Sequence, residues 1–368
     1  MSKPKVLIIG KVFSESDNFK EFCEKFEVVT YLYLKKESFI DALQKEFHDI
    51  SAIWVGHGGL MSRYDGSFPL NSDTLDYFPK SLKIIALPSI GVDRHDLSEL
   101  KKRSIILTNT PALASGQVAD TALYHVLNAF RFYSALDSSL RKFKNTLETK
   151  INLTSEIFDP ETGCPIEQDF NIPFSLGSRI GGRDVRSPKG RIAGIVGLGG
   201  IGQELAKRLN VIGMQVHYCK RNKLTDEEFN SIGVTSLVYH ATFEELLPIV
   251  DILIFCVPLA PDTHYLLNKE TIYKCKKGIK IVNVGRGKCI NENDLIEALK
   301  SGQVSFAGLD VFEDEPRVSE NLLKRLDVSV TPHSGSSTID NEMLSAKNCQ
   351  DNIINVLLEG GNGLTAVN

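Results

Sequence analysis

Residues 191–210 read RIAGIVGLGGIGQELAKRLN. The short apolar run Ile192–Val196 has the length of a strand. Glycines follow at 197, 199 and 202, and the segment from Gln203 to Asn210 takes up a helical period. A strand, then G-x-G-x-x-G, then a helix is the opening of a dinucleotide-binding βαβ unit. Each glycine has a physical task. Gly197 permits the tight turn, Gly199 lets backbone approach a pyrophosphate, and Gly202 lets helix and strand pack closely. The first N–H groups of the helix carry no internal partner and sit at its positive end, so Gly197, Leu198, Gly199, Gly200, Ile201 and Gly202 form a cradle for phosphate.

The rest of the chain alternates in the same way. Before the fingerprint, Val6–Ile9, Ala52–Val55, Lys83–Leu87 and Ile105–Thr108 read as strands, with helical patterns at Ser38–Phe47 and Leu97–Lys102. After it come strands at Gln215–Cys219, Ile252–Val257, Lys280–Val284, Ser305–Leu309 and Val328–Thr331. Helices are expected at Phe243–Leu247, Asn291–Lys300, Ser319–Arg325 and Ile339–Leu358, and a long amphipathic one at Gln117–Ser134. Asn145–Lys189 breaks the rhythm with Gly, Pro, Asp, Asn and Ser, and reads as a long loop or insertion with room for one short helix. The fold expected is α/β, with two Rossmann-like doubly wound parallel-sheet domains on either side of a cleft. A dinucleotide domain would span 111–331, with its insertion at about 145–189. A substrate domain would be discontinuous, over 1–110 and 332–368.

Composition agrees with this class. At roughly 100–200 residues per domain, 368 residues suggest two domains. Hydrophobic residues make up 42% and charged ones 24%, as in globular proteins. A net charge of −4 favours no nucleic-acid partner. The seven cysteines form no CxxC pair, so neither a disulfide framework nor a bound metal is expected. No apolar run approaches the ~18 residues of a membrane span, and the expected location is the cytoplasm.

The end of the strand after the fingerprint selects the nucleotide. An NAD site usually carries Asp or Glu about 20 residues beyond the glycines, to hold the ribose 2′-hydroxyl. Here that place reads Cys219-Lys220-Arg221-Asn222-Lys223, and the first acid is Asp226, inside a capping box opened by Thr225. Positive forked donors suit a 2′-phosphate instead, so Lys220, Arg221 and Asn222 point to NADP, with NADPH preferred over NADH.

Three polar residues follow later strands: Arg286 in IVNVGRG, Glu315 in GLDVFEDEP and His333 in VTPHSGSST. Strand ends of a parallel sheet face the ligand. Reduction of a 2-oxoacid needs a proton for the carbonyl oxygen, which a histidine can give near neutral pH. A carboxylate would orient that ring, and an arginine would grip the substrate carboxylate.

With these motifs the chain resembles the D-isomer-specific 2-hydroxyacid dehydrogenases over nearly its whole length, most densely from Arg191 to Thr338, and within them the glyoxylate/hydroxypyruvate reductases of the fungal branch. The resemblance implies catalytic roles for Arg286, Glu315 and His333. It implies cofactor contacts at Val257, Pro258 and Thr263 of CVPLAPDTH, at Val284 and Gly285, at Asp310 and at Gly335. It implies substrate contacts at Ser89, Ile90 and Gly91 of SIGVDRHDL, besides Arg286 and His333, and a homodimer as the assembly. The chain departs from the family pattern at Asp120, where glutamate is usual, at Ser334, and in the length of Asn145–Lys189. The alternative from another class is a dinucleotide-sensing, corepressor-like binding protein on the same fold, since fold alone does not establish activity.

Overall fold

Runs of β-branched and aliphatic residues set the strands. Lys5–Ile9 (β1) and Ala52–Val55 (β3) are almost wholly buried, as strands covered on both faces must be. The computed structural model describes residues 3–64, 66–154, 158–164, 166 and 177–368. It divides into two compact units: Met1–Leu113 with Ser337–Asn368, and Ala114–Ser336.

In the first unit the other elements that build and flank the main sheet include α1 (Asp17–Lys25), β2 (Glu27–Tyr31), α2 (Lys36–Lys45), β4 (Ile84–Ala86), α3 (Leu97–Lys102) and β5 (Ile106–Thr108). The five strands pair in parallel in the order β2-β1-β3-β4-β5. That is a doubly wound order whose switch point lies between β1 and β3. Alternation sends Leu7, Ile9, Ile53, Val55 and Leu107 to one face, against Phe39, Phe47 and Phe68. Val6, Ile8, Ala52 and Trp54 face the other way, against Phe22 and Phe26. There Ala346, Cys349, Ile353 and Val356 of the C-terminal helix Ile339–Leu357 complete the cover. The chain end is tied in as well: Asn368 Oδ1 accepts from Leu107 N at 2.8 Å, and its Nδ2 donates to Ile105 O at 2.8 Å.

The second unit opens with α4 (Ser115–Arg131), whose Val118, Ala119, Ala122, Val126, Ala129 and Phe130 are buried at helical spacing. It ends three residues sooner than its period suggested. Phe132 takes a left-handed conformation, φ 55°, and the chain turns into α5 (Tyr133–Phe143). The stretch expected as a loop or insertion with room for one short helix holds α6 (Thr146–Leu153), capped by Asn145 Oδ1 on the amides of Leu147 and Glu148 at 2.9 and 3.2 Å. It also holds a short antiparallel ribbon pairing Arg179–Ile180 with Arg183–Asp184. The parts of that stretch at 155–157, 165 and 167–176 lie outside the described residues.

Then follow β6 (Ile192–Val196), α7 (Gly200–Val211), β7 (Gln215–Cys219), α8 (Asp226–Ile232), β8 (Val238–His240), β9 (Ile252–Phe255), α9 (Lys269–Lys274), β10 (Ile279–Asn283), α10 (Glu292–Lys300), β11 (Val304–Leu309) and β12 (Val328–Val330). The order β8-β7-β6-β9-β10-β11-β12 is parallel throughout. It is the 3-2-1-4-5-6 winding of a dinucleotide-binding sheet with one more strand, its switch point between β6 and β9. One apolar cluster covers each face. The helix expected at Phe243–Leu247 does not form. Its amides make i→i+3 turns, Leu246 to Phe243 at 3.1 Å and Leu247 to Glu244 at 3.3 Å, and Pro248 has no N–H with which to carry an i→i−4 ladder onward.

Candidate active site in the dinucleotide unit

The register of the second sheet brings the site to one edge. Val196 pairs with Phe255, Phe255 with Asn283, Asn283 with Leu309, and Leu309 with Val330. The segments that follow these residues therefore leave the sheet on one row: the glycine loop, Val257–Pro258, Val284–Arg286, Asp310–Glu315 and Thr331–Gly335. Parallel pairing makes this the carboxyl edge, where doubly wound sheets bind ligands.

The glycine loop has the geometry its spacing demands. Gly197 stands at φ 90°, and a Cβ on it would meet Val257 Cγ1 at 2.5 Å. A Cβ on Gly202 would meet Gly197 O at 2.4 Å. Gly199 differs: nothing lies within 4 Å of the place its Cβ would occupy. Its open face is the cradle a pyrophosphate needs. It also caps α7 without a side-chain hydrogen bond, so the first-turn amides stay available. A dinucleotide fits this loop. Gly285 closes the floor, since a Cβ there would stand 2.5 Å from Val257 O.

At the end of β7, Lys220 and Asn222 have side chains without hydrogen-bond partners among the described residues. Arg221 pairs with Asp262 at 3.0 Å, both well exposed. The first acid after the strand, Asp226, lies in the first turn of α8, where Thr225 and Glu228 form the expected capping box. Asp262 was not part of the sequence reading. It belongs to the loop that Thr263 shapes, with its hydroxyl donating to Pro258 O at 2.7 Å and accepting from Ala260 N at 2.8 Å. Thr263 thus orders the loop with the hydroxyl expected to meet the cofactor.

Asp310 has a similar role. It is 2% exposed. Its Oδ1 accepts from Ser334 N at 2.9 Å and from the Thr331 hydroxyl at 2.6 Å, and its Oδ2 accepts from Gly335 N at 3.0 Å. A Cβ on Gly335 would approach that Oδ2 to 2.9 Å. The aspartate therefore clamps the loop that carries His333. Within that loop His333 is held at φ 52°, a left-handed conformation that is costly for a residue with a Cβ. Its Nδ1 lies 2.9 Å from Glu315 Oε2 and 3.1 Å from Oε1. Glu315 also accepts from Phe312 N at 3.1 Å. The ring is thereby fixed through one nitrogen, and Nε2 is left to the half-exposed side.

Arg286 follows β10. Asn283 Nδ2 donates to its carbonyl at 2.9 Å, and its Nη1 donates to Gly285 O at 2.8 Å. Gly287 presses on the acid loop: a Cβ there would fall 1.9 Å from Phe312 O. Glu313 and Glu292 close the same seam by reciprocal bonds, Glu292 N to Glu313 Oε2 at 3.0 Å and Glu313 N to Glu292 Oε1 at 2.6 Å. Tyr265 hydroxyl donates to Glu313 as well.

Two histidines with buried polar contacts, one in each unit, were missed in the sequence. His125 is fully buried on α4. Its Nδ1 lies 2.8 Å from Ser329 Oγ and its Nε2 3.0 Å from Thr331 Oγ1. The Thr331 hydroxyl already donates to Asp310, so Nε2 must be the donor and Nδ1 the acceptor of a neutral ring. Burial pushes its pKa down to about 4, against a smaller opposing pull from Asp310. Its sequence signal was only a place in an apolar stripe.

The second is His57, in the first unit. It follows β3 in the run Gly56-His57-Gly58-Gly59, at that sheet's switch point, and its Nε2 lies 3.0 Å from Ser345 Oγ. Burial lowers its pKa too. Beside it, after β4, come Ser89, Ile90 and Gly91. Asn109 Nδ2 donates to Ile90 O at 2.9 Å, and Thr110 N to Ser89 O at 3.0 Å. The amides of Ile90 and Gly91 have no partner among the described residues, so both are available donors.

No helix among the described residues is long and apolar enough to cross a membrane. No group of three or more His, Cys, Asp or Glu residues among them could hold a metal ion.

Comparison with known proteins agrees with this geometry. The family model described as D-isomer specific 2-hydroxyacid dehydrogenase, NAD binding domain, matches residues 178–335. Glyoxylate reductase 1 of Saccharomyces cerevisiae is 33% identical over 77% of this chain and 71% of its own. The holo structure of D-mandelate dehydrogenase from Rhodotorula graminis matches with a TM-score of 0.83 at 29% identity, covering 100% of this chain and 98% of that one. An NADPH-dependent glyoxylate/hydroxypyruvate reductase from Sinorhizobium meliloti, solved with NADP and malonate, matches with a TM-score of 0.75 at 28% identity, covering 100% and 97%.

Proposed function

The chain belongs to the D-isomer-specific 2-hydroxyacid dehydrogenases, and from that premise we propose that it is an NADP(H)-dependent reductase of a small 2-oxoacid, of the glyoxylate or hydroxypyruvate kind, yielding the D-2-hydroxyacid. One observation carries the cofactor choice: the end of β7 presents Lys220 and Arg221, and the first acid beyond it, Asp226, stands in the first turn of α8. The Arg221–Asp262 pair is exposed and therefore weak. A phosphate of charge near −2 can displace the carboxylate, which until then holds the guanidinium at the strand end.

The residues take these roles. Gly197, Leu198, Gly199, Gly200, Ile201 and Gly202 receive the pyrophosphate, and Lys220, Arg221 and Asn222 the 2′-phosphate. Val257, Pro258, Val284 and Gly285 line the nicotinamide side, while Thr263, Asp310 and Gly335 shape it. When bound, the reduced nicotinamide supplies the hydride. Arg286 binds the substrate carboxylate with forked donors. His333, its Nδ1 held by Glu315, gives a proton from Nε2 to the carbonyl oxygen. Glu315 stabilises the imidazolium before transfer. The free amides of Ile90 and Gly91, beside Ser89, supply further donors suited to a carboxylate. The Saccharomyces and Sinorhizobium relatives, both named as reductases, support the direction.

The test follows the loss of reduced-nicotinamide absorbance, with NADPH and NADH crossed against glyoxylate, hydroxypyruvate, pyruvate and phenylglyoxylate, for the wild type and Arg221→Ala. We expect turnover with NADPH. In the variant the KM for NADPH should rise at least about tenfold, the ~1.5–3 kcal/mol of a charged hydrogen bond, with little change for NADH. Equal effects on both nucleotides would refute the 2′-phosphate role. Tight dinucleotide binding without turnover would favour the sensor.

A further inference from the structure

At the edge of the second sheet opposite the glycine loop lies a recess of about 150 Å³. It is lined by Phe130, Arg186, Arg191, Asp251, Lys276 and Lys280, with Lys277 beside them. The strands β6, β9 and β10 all start here, and β6 runs five residues from here to the fingerprint. At about 3.3 Å per residue, the two ends stand roughly 16 Å apart. The recess is therefore separate from the dinucleotide cradle.

Five cations against one carboxylate line this recess, in a chain whose net charge is −4. The carboxylate is already engaged. Asp251 Oδ2 accepts from Ile192 N at 2.9 Å, and its Oδ1 from Lys276 Nζ at 3.0 Å. Arg186 pairs with Asp184 on the short ribbon. Arg191, Lys277 and Lys280 have no carboxylate partner among the described residues. Arg183 stands nearby but is bound to Asp327.

Lys280 forms the floor. Its ammonium lies 5.2 Å from the centroid of the Phe130 ring. It donates to Ser305 Oγ at 3.0 Å, and that hydroxyl passes its own proton to Gly278 O at 2.6 Å. One of three N–H donors is thus satisfied, and two have no protein partner among the described residues. Burial, then the charge of Arg183, brings its pKa down to about 8, with Asp251 opposing and Arg186 and Arg191 adding to the fall. A protein gains nothing in stability by holding a half-buried ammonium among like charges. A bound anion would relieve the repulsion and fill both open donors.

We propose that this recess is a second ligand site, specific for a small multivalent oxyanion of the size and charge of inorganic phosphate, with Lys280 as its floor and Arg191 and Lys277 as its rim.

The test is calorimetric titration of inorganic phosphate into the protein saturated with NADPH, so that the glycine loop and the β7 cations are already occupied. Chloride at equal ionic strength is the control. We expect one saturable site per chain, weakened at least about tenfold in Lys280→Met. The double variant Arg191→Gln, Lys277→Gln changes only the rim and should weaken it likewise, so the proposal stays testable if Lys280→Met does not fold. No saturable binding to the wild type, or unchanged affinity in whichever of the two variants folds, overturns the site. Neither result touches the reductase reading, which the absorbance assay decides.

Discussion

His333 carries a local conformational cost at the centre of the site. A side chain with a Cβ is held at φ 52°, and its Nδ1 is taken up by Glu315. Such strain persists only where surroundings over-determine it. Here they do so through both oxygens of Asp310, which grip the next two amides. The ring is thereby aimed before any substrate arrives, and preorganisation of this kind favours proton transfer. We expect His333→Ala to lower kcat by about 10²–10⁴, the range for a lost general acid. Steady-state kinetics at saturating substrate would read it, and a loss below about threefold would remove His333 from the role.

Among the elements, the decisive coupling joins α4 to β12. His125 takes the Ser329 proton at Nδ1 and gives its own from Nε2 to Thr331, whose hydroxyl goes on to Asp310. A helix and a strand end 204 residues apart in sequence are thereby wired to the loop of His333. The relay needs a neutral ring, and the folded pKa of about 4 lies below the ordinary 6.5. As pH falls, the unfolded chain takes a proton near 6.5 while the folded chain does not until about 4. Stability present above 6.5 is therefore lost through that window, by up to ~3 kcal/mol. Urea midpoints between pH 7.5 and 4.5 should fall in the wild type and fall less steeply in His125→Gln. Equal slopes would refute the assignment.

This coupling also marks how far the sequence could be read. Ala52–Val55 was legible to the residue because a doubly buried strand leaves a continuous apolar run, and Gln215–Cys219 because buried Val216 and Tyr218 alternate with more exposed residues. The edge strands β2 and β8 were not, because Glu27–Tyr31 and Val238–His240 are half solvated and mix polar with apolar residues. Arg286, Glu315 and His333 stood out because each follows a strand. His125 did not, since its hydrogen-bond partners become neighbours only when the sheet forms. Asp262, paired to Arg221 from 41 positions away, was hidden for the same reason.

For the molecule as a whole, the most consequential fact is that its first unit is made from both ends of the chain. Val6, Ile8, Trp54, Ile84 and Ala86 are covered on one side by Ala346, Cys349, Ile353 and Val356. A chain ending at Ser336 would leave that face open to water. Each large side chain so exposed loses about 1.5–3 kcal/mol of burial, which exceeds the margin of most domains when several are lost together. We expect limited proteolysis of that truncation to degrade residues 1–113 while much of Ala114–Ser336 persists. A resistant N-terminal fragment would show the helix to be dispensable.

The order in which a ribosome delivers these parts is then the reverse of what packing requires. Residues 1–113 emerge well before the helix that seals their sheet, which follows only after the entire second unit has been made. At about 5–20 residues per second, the greasy flank around Trp54 waits on the order of 10–50 seconds for its partner. Through that interval the newborn half-domain is adhesive. Its survival in a crowded cell rests on chaperones that shelter it, or on the speed of translation itself.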